Sequence, residues 1–313
     1  MAAVGKVHPN HYGNKRPVNV PPKADDQPRQ TGGVIAVRST ARRATLLIRV
    51  IVTGATGRMG RRVIALVHAD PALALVGAVT HAAHPALGRD AGEVAGIGPI
   101  GVVLEHDCTR TLPQAEVIID FSTADAAVAY ARLAAAQQKA IVVGTTGFTA
   151  SQREEIHRLS HSMPCFLSPN MSVGVNVMLQ VLRQLVVLLG PDYDIEILEA
   201  HHRTKVDAPS GTALRMAAIV AEAQGYNLDD VAVYGRRGMI GRRSDAEIGI
   251  QVIRAGEIVG EHTVLFGGPG ERLELVHRSQ SRDTFASGAL RAAKWMIQQP
   301  CGLYSMEDLL RLA

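Results

Sequence analysis

A glycine-rich turn set between a strand and a helix constrains this chain more than any other feature. Residues 49–53 (Arg-Val-Ile-Val-Thr) form a short β-prone run, and Gly54-Ala55-Thr56-Gly57-Arg58-Met59-Gly60 follows it directly. Residues 61–68 carry apolar side chains at helical spacing, Pro71 ends that helix, and 73–80 reads as a second strand. A β–glycine loop–α–β unit of about 30 residues is the geometry of a dinucleotide fold. The loop spacing is G-x-x-G-x-x-G rather than G-x-G-x-x-G, so by itself it marks only a tight turn. Its place between strand and helix is what points to a nucleotide. Gly54 is expected to make the turn, Gly57 to let the backbone approach a pyrophosphate, and Gly60 to permit close helix–strand contact. Arg58 is placed to pair with a phosphate.

More βα units follow. Strands are expected at 117–121, 140–143 and 164–167, and helices at 124–138 and 151–161. Ligands of a doubly wound sheet bind beyond the carboxyl ends of its strands, so Gly144, Thr145 and Thr146 are expected to face the cofactor. An apolar helix at 177–189 is closed by Gly190-Pro191. A strand at 194–200 and a helix at 213–223 come next. Runs at 248–254, 258–266 and 272–278 read as strands, broken at Ala255-Gly256 and at Gly267-Gly268-Pro269-Gly270. Helices at 284–298 and 305–312 end the chain. The pattern predicts an α/β protein with a Rossmann-like doubly wound parallel sheet. A second, α+β substrate domain carries a mainly open β-sheet. The nucleotide domain is expected over 49–172 and the substrate and oligomerisation domain over 173–281, with the two helices of 282–313 following it.

Length and charge agree with two domains on a soluble chain. The 313 residues are 47% hydrophobic, yet no apolar run approaches the roughly 20 residues needed to cross a bilayer. Residues 1–48 hold eight of the 33 Lys/Arg and two of the 29 Asp/Glu, which leaves 25 basic against 27 acidic side chains for the remainder. The net charge of +4 therefore belongs to a proline-punctuated segment expected to be a disordered extension, and no nucleic-acid surface is implied for the fold. Ser39, Thr40, Arg42 and Arg43 give that segment a transit-peptide flavour, which Asp25, Asp26 and its prolines weaken. Three scattered cysteines, Cys108, Cys165 and Cys301, show no metal-ligand spacing and point to a reducing, cytoplasmic setting without disulfides.

The densest polar cluster is Glu199-Ala-His201-His202-Arg-Thr-Lys205-Val-Asp207-Ala-Pro209-Ser210-Gly211-Thr212-Ala213. It is expected on a loop between a strand end and a helix start, where binding and catalytic groups collect. Two histidines can move protons near neutral pH, Lys205 offers a positive charge, and Ser210-Gly211-Thr212 opens a helix whose free N–H groups suit a carboxylate. A solvated loop without a chemical task is the bland alternative, and the density argues against it. Loop placement also predicts that removing His201 or Lys205 costs little stability.

This string resembles the signature E-x-H-H-x-x-K-x-D-A-P-S-G-T-A of 4-hydroxy-tetrahydrodipicolinate reductases, enzymes of bacterial and plant lysine synthesis. The resemblance runs from about Arg49 to the C-terminus and includes the G-x-x-G-R-M-G loop and the G-T-T-G motif at 144–147. Residues 168–176 are similar to the family's hinge segment. It implies that 282–313 returns to complete the nucleotide domain, that the protein is a homotetramer, and that it carries out an NAD(P)H-dependent reduction of a small dicarboxylate. His201 would be the acid/base group and Lys205 the proton donor, with His202, Gly211 and Thr212 on substrate. Gly54, Ala55, Thr56, Gly57, Arg58, Met59, Gly144, Thr145 and Thr146 would meet the cofactor, and Ser168, Pro169, Asn170 and Met171 its nicotinamide end. At Thr80 and His81 the family often has an acidic residue and then an arginine. Without either, NADH and NADPH are both expected to serve. No metal is expected. Asp207 is expected to orient Lys205 or the turn. Another two-domain amino-acid dehydrogenase and a non-catalytic nucleotide sensor are the rival readings.

Overall fold

The structure, a computed structural model, describes residues 47–311. The expected extension over 1–48 lies outside these residues except at its last two positions. Strand β1 (Ile48–Thr53) leads through the glycine turn into α1 (Arg58–Ala69) and β2 (Leu73–Val79). Next come α2 (Ala91–Ala95), β3 (Leu104–Glu105), β4 (Val117–Asp120), α3 (Ala124–Ala136), β5 (Ala140–Val143), α4 (Ala150–Ser160) and β6 (Pro164–Leu167). The second half contains α5 (Val173–Leu189), β7 (Asp194–His201), α6 (Gly211–Gln224), α7 (Leu228–Val231), β8 (Ala232–Tyr234) and β9 (Ile248–Arg254). It closes with β10 (Gly260–Gly268), β11 (Glu271–Ser279), α8 (Asp283–Met296), β12 (Gly302–Tyr304) and α9 (Met306–Leu310).

Seven strands form an all-parallel sheet in the order β12-β6-β5-β4-β1-β2-β3. Side chains alternate across it, as strand geometry requires. Val50 and Val52 of β1 pack with α1 and α8, whereas Ile51 packs on the opposite face with α3 residues such as Ala127 and Ala131. Both faces are therefore covered, which is why these strands read as continuous apolar runs rather than alternating ones. The edge strand β12, pairing with β6, returns the end of the chain to this sheet. It is three residues long, too short to leave a periodic pattern.

A second, five-stranded sheet has the order β11-β10-β7-β9-β8 and mixes parallel with antiparallel pairs. Ile195 and Ile197 of β7, Ile248 and Ile250 of β9, and Val264 and Phe266 of β10 face α5 and α6 and fill a third core. The other face, with Leu198, Leu265, Ile253 and Val276, has no helix over it among the described residues. Ile253 and Val276 are 48% and 39% exposed there. Both helices start earlier than periodicity alone indicates. Ser172 caps α5 by accepting from the Val175 N–H, and Ser210 caps α6 by accepting from the Ala213 N–H.

The glycine turn is tight for a specific reason. Gly54 sits at φ +69°, and a Cβ there would lie 2.1 Å from the carbonyl oxygen of Phe121 just past β4. A Cβ on Gly60 would lie 2.2 Å from the Gly54 carbonyl oxygen and 2.8 Å from the Ala55 Cα. Gly60 thus lets α1 pack against the turn itself rather than against the strand body. Backbone atoms cannot swing aside as a long side chain can. Gly60→Ala should destabilise the protein by about 1–3 kcal/mol, the usual range for overpacking. Urea denaturation measures this, and a loss below about 0.5 kcal/mol would show that the turn is not tightly packed.

Candidate active site

Residues from both sheets converge on one cleft of about 730 Å³. Arg58, Met59, Gly144, Thr146 and residues 167–171 line one side. His201, His202, Lys205, Asp207, residues 210–212, Gly260, His262 and His277 line the other. The sequence motifs around 54–60, 144–147, 168–171 and 199–213 are thereby brought to one place.

His201 departs from the loop expected for it. It is the last residue of β7, only 9% exposed, and its ring packs edge-on against His262 at 5.2 Å between centroids. Truncating it would open a buried gap, so the exposed-loop premise behind a small stability cost does not hold for His201. Two residues earlier on the same strand face lies Glu199, whose side chain has no exposed surface. Its Oε2 accepts from His201 Nδ1–H at 2.5 Å, and its Oε1 accepts from the Ser210 N–H at 2.9 Å. Arg254 of β9, directly opposite His201 in the ladder, donates to both oxygens at 2.7 Å. Burial alone would push the Glu199 carboxyl up, but Arg254, His201 and the Ser210 N–H together hold it below the usual range. For His201, burial outweighs the Glu199 carboxylate and leaves the ring below its ordinary value.

Lys205 lies on the loop as expected, its Nζ 2.8 Å from Asp207 Oδ1. Asp207 also accepts from Arg254 through its backbone carbonyl at 2.6 Å, so this residue ties the lysine to the Glu199 cluster. His202 holds Thr204 Oγ1 at 2.8 Å and is held below its ordinary pKa by burial, then by the charges of Arg58 and Arg282. The Ser210 side chain takes the Ala213 N–H, the third helical position, which leaves the N–H groups of Gly211 and Thr212 free at the start of α6. Nothing lies within 4 Å of where a Gly211 Cβ would stand. Thr212 Oγ1 accepts from Asn170 Nδ2 at 3.2 Å, a direct link from the segment after β6 to α6.

On the opposite wall, α1 has no side-chain cap and no acidic residue in its first turn. Helices α3, α4, α5 and α6 each have a side-chain cap, and of these four α3 alone has an acidic residue, Asp125, in its first turn. Uncapped N–H groups, an exposed Arg58 and a turn that requires glycine at Gly54 fit a pyrophosphate. Ala55 is buried and spends its N–H on the Val79 carbonyl. Thr56 and Thr80 share a hydroxyl hydrogen bond of 2.8 Å at the carboxyl end of β2, with Thr80 buried and His81 exposed beside it. Thr145 corrects the expectation that Gly144, Thr145 and Thr146 all face the cofactor. Its hydroxyl turns inward and donates to buried Asp120 at 2.6 Å, because successive residues at a strand end point to opposite sides. Asp120 also accepts from Thr53 and Ser122, each at 2.5 Å, and burial still raises its pKa.

Two family descriptions divide the chain between them. "Dihydrodipicolinate reductase, N-terminus" matches residues 48–171, and "Dihydrodipicolinate reductase, C-terminus" matches residues 174–310. The chain belongs to the dihydrodipicolinate reductase family. Relatives in it include the 4-hydroxy-tetrahydrodipicolinate reductase of Syntrophus aciditrophicus, 52% identical over 264 residues, which are 84% of this chain and 98% of the relative. The enzyme of the same name from Syntrophobacter fumaroxidans is 49% identical over 264 residues, 84% of this chain and 99% of the relative. Among solved structures, the dipicolinate-bound dihydrodipicolinate reductase from Paenisporosarcina sp. TG-14 shares the fold. It has a TM-score of 0.66 at 24% identity and covers 84% of this chain and 99% of its own. As a dihydrodipicolinate reductase family member the protein is an oxidoreductase, and its nucleotide-binding half calls for a pyridine nucleotide. Among the described residues no His/Cys/Asp/Glu group could hold a metal ion, and no helix is long and apolar enough to cross a membrane.

Glu199, Arg254, Gly260, His262, His277 and Asp120 were not singled out for a role by the sequence reading. The i, i+2 spacing of Glu199 and His201 on a strand was the one signal available. His262 pairs with Glu199 only through the β7–β10 ladder, which the sequence does not reveal.

His262 is the buried histidine whose basicity is most strongly suppressed. Burial, and then the charges of His201 and Lys205 with others, pushes it down to about 3. The unfolded chain, with an ordinary value near 6.5, therefore binds this proton first. The associated stability is fully present above pH 6.5 and is lost as pH falls toward 3. His201, His202 and His277 are shifted in the same direction and share the trend. His262→Gln should flatten the fall in unfolding free energy between pH 6 and 5 by up to about 1.4 kcal/mol per pH unit, one proton's worth. Urea titrations at fixed pH values measure the slope. An unchanged slope would mean that His262 is not held neutral.

Proposed function

We propose that the enzyme reduces 4-hydroxy-tetrahydrodipicolinate to tetrahydrodipicolinate, in the diaminopimelate route to lysine, with NADH or NADPH alike. The carrying observation is the pairing across one cleft of an uncapped glycine-turn helix with a strand-end histidine, a lysine and a free helix start. In this reading residues 49–172 with 282–313 hold the nucleotide, and residues 173–281 hold the substrate. The loop at 54–59, with Gly144, Thr146 and residues 168–171, carries the cofactor, and Thr145 supports it from below. A reduced nicotinamide bound there supplies hydride.

The substrate dicarboxylate is held by the Gly211 and Thr212 N–H groups at the positive start of α6, with His202 beside them. Loss of water from the substrate leaves a conjugated imine able to accept hydride. Charge then builds on the ring, and Lys205 delivers the neutralising proton, with His201 as the acid/base group through Nε2. Asp207 keeps the Lys205 ammonium in place. The uncovered face of the second sheet, with Ile253 and Val276 exposed, supports a homotetramer formed there. The unpaired cysteines Cys108, Cys165 and Cys301 accord with a cytoplasmic site of action.

Cofactor choice follows from β2. Thr80 is uncharged, buried and satisfied by Thr56, so no carboxylate repels a 2′-phosphate and no arginine follows to hold it. Steady-state kinetics on substrate made in situ by the preceding synthase should give kcat/KM for NADH and NADPH within about tenfold, or 1.4 kcal/mol. A hundredfold preference would overturn the dual use, and failure to oxidise either cofactor would overturn the function.

A further inference from the structure

The established signature leaves its first residue, Glu199, without a task, and its surroundings supply one. A carboxylate accepts through about four lone-pair sites, two on each oxygen. All four are filled at Glu199. Oε1 takes the Ser210 N–H and Arg254 Nη2, and Oε2 takes Arg254 Nη1 and His201 Nδ1. With the Arg254 guanidinium forked onto it, this carboxylate is ionised and only accepts. His201 Nδ1 must therefore carry the hydrogen, and in the neutral ring Nε2 is bare.

The sheet keeps Nε2 open to the cleft. A Cβ on Gly260 would stand 3.1 Å from it, so glycine on β10 leaves room beside the ring that any other residue would take. His201 and Gly260 both line the cleft. Resting on the reading of His201 as the acid/base group, we propose that Glu199, clamped by Arg254, is a positioning residue. It fixes the Nδ1–H tautomer of His201, so that the ring gives and takes its proton only at Nε2, toward the substrate.

Several charged or titratable groups surround the ring. Glu199 and His202 lie on or just after its own strand, Arg254 on β9 and His262 on β10. Lys205 and Asp207 lie on the loop before α6. Of these, Glu199 is the one that favours the protonated ring through a direct hydrogen bond. Removing its charge therefore moves the His201 limb of the pH–rate profile to lower pH, whichever direction the proton travels. A neutral amide also brings its own N–H₂ among donors, which turns the ring toward the other tautomer.

Nitrogen-15 NMR of the histidine rings in the resting, unmodified protein reads the tautomer directly, with His201→Asn used to assign the signal. A protonated Nδ1 and a bare Nε2 are expected, and an Nε2–H tautomer overturns the proposal. This result needs no substrate, so it stands apart from whether the assigned function holds. In turnover, Glu199→Gln should lower kcat by about a hundredfold or more, in line with wrong-tautomer variants of other carboxylate–histidine pairs. The nucleotide KM should stay within about twofold, and the pH limb should move down. Glu199→Asp, which keeps the charge, should recover at least about tenfold of the loss. A folded Glu199→Gln protein with kcat within about threefold of the parent would also overturn it. Should that variant fail to fold, the tautomer of the unmodified protein decides.

Discussion

The buried Glu199 carboxylate is the interaction on which the histidine-lined side of the cleft depends. An ion with no exposed surface costs several kcal/mol to desolvate, and is tolerated only when its lone pairs are met. The partners that meet them come from β7, β9 and the start of α6. One charge therefore fixes where the His201 ring stands, where Arg254 reaches over to the Asp207 carbonyl, and where α6 begins. Because Ser210 is anchored by its N–H, the next two amides fall at the cleft with no helix carbonyl to receive them. Removing one member of such a cluster leaves an unpaired buried charge, at a cost of about 3–5 kcal/mol.

A second buried carboxylate plays the matching structural part on the glycine-turn side. Asp120 ends β4 and gathers hydroxyls from Thr53 at the end of β1, Ser122 just beyond β4 and Thr145 just beyond β5. These are the strand ends from which the glycine turn and the Gly144–Thr146 segment depart. Between the two walls, Asn170 bonds Thr212 at the start of α6. The glycine turn, the 168–172 segment and the start of α6 are thus held through hydrogen bonds rather than through side chains lying free in the cleft.

Much of this was legible in the sequence, for physical reasons that differ by element. β1, β4 and β5 are apolar runs covered on both faces, and glycines follow β1 and β5, so the parallel sheet could be read directly. The clustering of His201, Lys205 and the Ser210–Thr212 turn announced a site because charged groups seldom crowd without cause. Local signals could not show that His201 is buried, since burial there comes from Arg254 and His262 on strands 50 and more residues away. Nor could they show the inward turn of Thr145, whose partner Asp120 is met only across the sheet. The three-residue β12 was too short to carry a period, although it supplies the edge pairing with β6.

Placement of the chemistry on the 199–213 segment, separate from nucleotide binding on 54–60, is tested most directly with Lys205→Ala. Lys205 is partly exposed and its side chain pairs with Asp207 alone among the described residues, so its loss should leave the fold intact. NAD(P)H binding followed by fluorescence, alongside kcat for the same preparation, gives the decisive comparison. The expected result is an unchanged dissociation constant with kcat lowered at least about a hundredfold, the usual contribution of a placed proton donor. A kcat near that of the parent protein would contradict it, as would a loss of turnover that merely follows a loss of nucleotide binding.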